Sequence, residues 1–311
     1  MSNNTSYKED FDILEIIKIF WSQKILIVSI TLFFALFSVF YALSLPNYYT
    51  SSALLKVTEQ NEQNATGGLS DLASRYGGIA SMAGISIPSS GVDSGTYAIQ
   101  MIKSREFAKH LMTFPDIKIN LMAVESYDKT TKSIIYNDDI YDVDKKVWTR
   151  KDSSSNNAEP SYLEVHETAL KGLSVNKDDI TGLITISFEH KSPIFAKEFV
   201  ALVIKELNNI TREIKLKETN AALDYLRLEY ENVNQQGLKI TINSLISNQM
   251  NNKMLASIKD DYLLSIIDPP VAPELKSSPN RAMICILITI FGSLLSLMVA
   301  LTNNFIQKRF K

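Results

Sequence analysis

The chain has 311 residues, 45% of them hydrophobic, with 32 basic and 34 acidic side chains and a formal net charge of −2. That balance excludes the basic footprint of a nucleic-acid-binding protein. A single cysteine, Cys285, excludes both a disulfide framework and CxxC chemistry, so stability must come from packing and assembly.

The first 24 residues contain FDILEIIKIFWSQK. Ile13, Ile16, Ile17 and Phe20 share one helical face, which predicts an amphipathic helix at a membrane surface or a plain lead into the run that follows. Residues 25–45, ILIVSITLFFALFSVFYALSL, contain no charge. At about 1.5 Å per residue, some 20 apolar residues cross a hydrocarbon core of about 30 Å. Ala42 and Ser44 resemble a signal-peptide cleavage site, but the run exceeds the roughly 7–15 residues of a signal h-region. A second uncharged run, 282–301, lies near the other end of the sequence, with 302–311 as a short tail. Lys18 and Lys24 precede the first run, and Lys308, Arg309 and Lys311 follow the second. Basic flanks stay cytoplasmic, so both ends are expected inside and residues 46–281 on the periplasmic side. Arg281 sits at the outer end of the second run and argues weakly against that orientation. Gly292, Ser296 and Ala300 recur every four residues, as small residues do where membrane helices approach closely. Ala35, Ser38 and Ala42 offer a matching small face on the first span, which predicts packing of the spans within or between subunits.

Between the spans, Tyr49, Ser51, Ala53, Leu55 and Val57 alternate as in a strand. A polar break and a glycine-rich stretch, GGLSDLASRYGGIASMAGISIPSSG, follow. This stretch lacks the GxxxxGK[ST] phosphate loop and is expected to be flexible or subunit-facing. Ile99, Ile102, Phe107 and Leu111 form a helical stripe that Ser94 would cap. Residues 127–157 read as a polar surface excursion with at most a short hairpin. PSYLEVHETALKGL predicts a short helix with proline in its first turn, and LITISFEH after Gly182 a strand. Ser192 and Pro193 then open the longest periodic segment. Phe199, Val203, Leu207, Ile210, Ile214, Ala221, Tyr225 and Leu228 recur every three or four residues with one interruption, at Lys217, and no glycine appears before Gly237. A helix of about 65 Å is expected there, its apolar seam covered by a partner such as the returning stretch 238–257. DYLLSIID predicts a last strand, and Pro269, Pro270, Pro273 and Pro279 a stiff extended lead-in at 269–281.

The strand–helix alternation predicts an α/β base, residues 46–192 and 258–268, lying close to the bilayer. Residues 193–257 would project from it as a helical hairpin or coiled-coil arm. The fold class is therefore an α+β membrane protein with two terminal transmembrane helices. No catalytic, cofactor or metal site is expected. His110, His166 and His190 lack metal-ligand spacing, and no GxSxG occurs. The doublets Asp138-Asp139, Asp178-Asp179 and Asp260-Asp261 read as solvated or capping carboxylates.

Taken together, ILEIIKIFWSQK, NYYTSSALLKV, GGIASMAGIS, TGLITISFEHKSPIFAKEFVALVIKELN and ASIKDDYLLSIIDPPVAPELKSSPNRAMI, in that order between two spans, resemble the bacterial Wzz-type polysaccharide chain-length determinants, or polysaccharide co-polymerases. Pro269, Pro270, Pro273, Pro279 and Arg281 fit the family's proline-rich signature before its second span. The resemblance implies a non-enzymatic inner-membrane protein that sets the modal length of a surface polysaccharide, typically lipopolysaccharide O-antigen. It implies a ring-like homo-oligomer as partner to itself, a separate membrane polymerase, and contact with lipid-linked glycan and membrane lipids. The short tail offers no room for the kinase of some relatives. A capsule or exopolysaccharide export adaptor and a periplasmic sensor are the alternatives, and neither tail has room for a signalling module. A hydrolase is the weakest reading.

Overall fold

The computed structural model describes residues 20–58, 93–150 and 159–309. The expected amphipathic face before residue 20 and the glycine-rich stretch at 67–91 lie outside the described residues. The described residues divide into two compact units, residues 48–276 and the pair of terminal segments around them.

The terminal segments form two helices, α1 (Lys24–Ser44) and α8 (Arg281–Arg309). Each contains a stretch long and apolar enough to cross a membrane, Lys24–Ser44 and Arg281–Asn303. Phe33, Phe40, Phe291 and Met298 are exposed, an apolar surface that suits lipid better than water. The last helix does not stop at residue 301, because TNNFIQKR contains neither proline nor glycine to end it.

The other unit is built on a four-stranded antiparallel sheet, β6-β7-β1-β8, from β1 (Tyr49–Val57), β6 (Leu173–Lys177), β7 (Ile184–His190) and β8 (Leu264–Asp268). Tyr49 pairs with His190 and Leu55 with Ile184. Tyr49, Ser51, Ala53, Leu55 and Val57 are all buried, as their alternation predicts. The strand β6 has no counterpart in the periodicity reading. It is only LSVNK, too short and polar to announce itself, and it forms because β7 offers an edge.

Helices cover the buried face. The stripe expected as one helix is two, α2 (Ser94–Ile102) and α3 (Arg105–Leu111). Ser104 breaks it by accepting a hydrogen bond from Phe107 N at 3.2 Å, which starts a new helix. Asp93 rather than Ser94 caps α2, its carboxylate accepting from Thr96 N at 3.0 Å. Lys177 reaches the same carboxylate at 2.6 Å and, with the cap, lowers its pKa. A short α4 (Ile117–Met122) leads into two small hairpins, β2 (Val124–Asp128) with β3 (Ser133–Tyr136), and β4 (Tyr141–Asp142) with β5 (Val147–Trp148). Helix α5 (Tyr162–Gly172) is capped by Ser161, so Pro160 precedes the cap instead of entering the first turn.

The longest element is α6 (Pro193–Asn232), 40 residues and about 60 Å. Ser192 caps it through Phe195 N at 3.3 Å. After a three-residue break, α7 (Gln236–Ile258) returns along it. Lys239 lies 5.1 Å from the Tyr230 ring centroid at the turn, and Arg212 donates to Asp260 at 3.2 Å at the foot. These contacts make the pair an antiparallel hairpin. The core gathers Leu55, Ile184, Ile186, Phe188, Phe195, Phe199, Val203 and Leu207 between the sheet and the first turns of α6.

Candidate functional site: the span pair and the helical hairpin

In the span pair, Gly292, Ser296 and Ala300 face α1. A Cβ at Gly292 would come within 2.4 Å of Phe34 Cβ, so only glycine admits this approach. Ser296 and Ala300 are fully buried, as are Ser38 and Ala42 on α1, while Ala35 is half-buried. Thr31 and Ser296 hydroxyls lie 3.4 Å apart, and Cys285 Sγ reaches Ser38 O at 3.7 Å. The contact is thus small-residue packing within one chain, with Phe34 as the opposing ridge. Spacing alone did not flag Phe34.

Arg281 opens α8 and donates from Nη2 to Leu45 O at 3.1 Å and to Asn47 Oδ1 at 3.2 Å. A helix end leaves carbonyls unsatisfied and carries partial negative charge, which a cation offsets. This gives Arg281 a local reason to sit where charge asymmetry would not put it. Pro279 lies half-buried just before it.

The other prolines belong to the larger unit. Pro270 is buried, Pro273 half-buried and Pro269 exposed. The segment is fastened to the sheet, with Ser51 Oγ donating to Val271 O at 2.8 Å and Lys129 Nζ to Glu274 O at 3.1 Å. The buried Ser51 on β1 is what sequence reading took for one more inward strand residue.

The expected packing stripe of the long helix divides in two. Phe199, Val203 and Leu207 are buried in the core, and Ile210 packs partly against it. Ile214, Ala221, Tyr225 and Leu228 are exposed; Tyr225 and Leu228 are 65% and 63% accessible. The returning helix does not cover them. The two helices are in contact, and the buried residues of this stretch are Thr219 and Leu223 on α6 and Ile242 and Ala256 on α7. At 3.6 residues per turn Thr219 and Leu223 lie about 140–180° round the helix from Ile214. Leu245, Met250 and Met254 of α7 are exposed as well, and Ile246 is half-buried.

Asn208 is a residue that periodicity could not find. Buried on α6, it donates to Leu264 O at 2.9 Å and accepts from Leu263 N and Leu264 N at 2.8 and 2.9 Å. One amide thereby locks the helix to strand β8, and polar residues on an apolar face are its only sequence signal.

The three histidines and the acidic doublets have local partners. His110 pairs with the buried Glu206 at 2.7 Å, and His166 with Lys103 O at 3.1 Å. His190 meets Asn120 O at 2.9 Å and accepts from Ser192 N at 3.1 Å, which fixes the neutral tautomer. Burial lowers its pKa to about 4. Asp178 accepts from Ile180 N and Thr181 N in the β6–β7 turn, which lowers its pKa. Asp260 pairs with Arg212. Among the described residues, no group of three or more His, Cys, Asp or Glu could hold a metal ion.

The described residues thus combine two helices long and apolar enough to cross a membrane with a helical hairpin that exposes apolar side chains. Residues 9–113 match the family model Wzz, chain length determinant protein. Among solved structures, a full-length bacterial polysaccharide co-polymerase is similar at 11% identity and a TM-score of 0.41, with 96% of this chain and 99% of that chain covered. A fragment of WzzB, a polysaccharide co-polymerase from Salmonella Typhimurium, is similar at 12% identity and a TM-score of 0.27, with 75% and 100% covered. No curated protein matches the sequence.

Proposed function

We propose that this protein sets the modal chain length of lipopolysaccharide O-antigen as an oligomeric scaffold. It stands in the bacterial inner membrane with both ends cytoplasmic and residues 46–281 periplasmic. Copies associate into a ring through the arm, and the assembly engages the membrane polymerase and its lipid-linked glycan. The geometry of the assembly biases when extension stops, without any bond being made or broken by the protein itself.

One observation carries this reading. Ile214, Ala221, Tyr225 and Leu228 continue the core stripe of α6 outward and are exposed, with no cover among the described residues. Apolar surface of this kind on a periplasmic helix is stabilised by burial against another surface, at about 25 cal/mol per Å². A second copy supplies the same stripe. The test is a deletion strain analysed by glycan ladder on a gel. The ladder should lose its modal band and spread, and the intact gene should restore it. Loss of all polymer would point to a polymerase or transporter, and an unchanged ladder would end the proposal.

A further inference from the structure

A cleft of about 340 Å³ opens beside the end of α5, lined by Tyr48, Lys171, Phe188, Glu189, His190 and Lys191, with an apolar floor that includes Leu121 and Val124. Its size is at the small end of the roughly 300–1,000 Å³ of ligand sites. Two of its lining groups are ammonium ions. Lys191 is half-buried and donates to Val124 O at 2.7 Å, and no other hydrogen-bond partner is found for it among the described residues. An ammonium has three donors, so two remain for a ligand. Burial lowers the pKa of Lys191, while Glu125 acts in the opposite direction. Lys171, in the last turn of α5, is exposed and has no carboxylate partner among the described residues.

The remaining walls decide what such a pair could hold. His190 contributes no charge, since both ring nitrogens are engaged and its pKa is about 4. Glu189 is the one carboxylate on the lining, and Glu125 acts on Lys191 from beside it. Phe188 and Val124 supply an apolar side against which a ring or a short alkyl group can rest. Gly172 sits at the join, where a Cβ would come within 2.6 Å of Glu189 O and 2.9 Å of Phe188. The end of α5 can therefore close on strand β7 and bring Lys171 to the same cleft as Lys191.

We propose that this cleft is a binding site for a phosphoester anion, with Lys171 and Lys191 holding the phosphate and the apolar wall its substituent. The site does not depend on chain-length control and would exist if that reading failed. A sugar phosphate and an anionic phospholipid headgroup share this chemistry, and the experiment separates them.

Full-length protein in a detergent free of phosphate is titrated with glucose 1-phosphate and with glucose, followed by ligand-observed NMR. In a parallel arm, phosphatidylglycerol is added and the lipid retained is counted by native mass spectrometry. At least one phosphoester should bind, glucose should not, and K171Q/K191Q should weaken binding about tenfold or more. K171R/K191R should retain it, because the charge is kept. Binding in the first arm alone assigns a soluble phosphate, and binding in the second alone a lipid. If K171Q/K191Q does not fold, K171Q alone decides, since its side chain is exposed; about threefold weaker binding is expected. Absence of binding in both arms, glucose binding as well as glucose 1-phosphate, or equal binding by the folded Gln variant overturns the proposal.

Discussion

The first five turns of α6 and its outer turns carry one apolar stripe, interrupted once at Lys217, yet they live in different surroundings. Phe199 packs 4.3 Å from Phe188, ring centroid to centroid, inside the core. Tyr225, on the same stripe, is largely accessible. Below residue 211 the helix is a wall of the sheet domain, held by Asn208 and by aromatic packing. Beyond it, α7 is the neighbour among the described residues, and the stripe stays exposed beside it. Apolar character in the lower half therefore serves the folding of one chain, whereas in the upper half it is left over from that task. Periodicity shows that a face is apolar and is silent about what covers it.

The lower half should be the more fragile, and the largest effect is expected at Asn208. Replacing Asn208 with Ala orphans two buried N–H groups and a carbonyl, each worth about 1–3 kcal/mol. A loss of about 3 kcal/mol or more is expected in urea unfolding followed by circular dichroism. A loss below about 1 kcal/mol would show that the helix and β8 are not locked together.

A second test uses pH. His190 has a folded-state pKa of about 4, below its ordinary 6.5. The unfolded chain binds the proton more readily, so stability is full above about pH 6.5 and falls as pH drops toward 4. Between pH 7.5 and pH 5 the loss from this group is about 2 kcal/mol. Thermal melts should show that slope in the wild type and a shallower one in H190N, which keeps an acceptor for Ser192 N. Equal slopes would remove His190 as the cause.

The smallest effect on folding is expected on the upper half. Tyr225→Ser with Leu228→Ser should alter stability by no more than about 0.5 kcal/mol, as exposed substitutions do. The same pair should shift the detergent-solubilised protein toward smaller species in analytical ultracentrifugation. A large loss of stability would mean that these residues help fold the single chain, and the contrast between the two halves would fail.

The sequence by itself determined much of this. Charge-free runs of membrane length, strict alternation in β1, and the Ser192-Pro193 start followed by a glycine-free periodic stretch each reflect a local rule, so the spans, the strand and the long helix were legible. So was the small-residue spacing at 292, 296 and 300. Where a local rule had a competitor, reading fell short: Ser104 split one expected helix into two, and Asp93 took the cap from Ser94. Only the tertiary structure decided that Phe34 meets Gly292, that Arg281 answers the carbonyl of Leu45, and that Asn208 joins α6 to β8. It also decided that, beside α7, Thr219 and Leu223 are buried while the longer stripe stays exposed. Those pairings join residues far apart in the chain, and their partners are chosen by shape and unsatisfied hydrogen bonds, which no periodicity along one segment encodes.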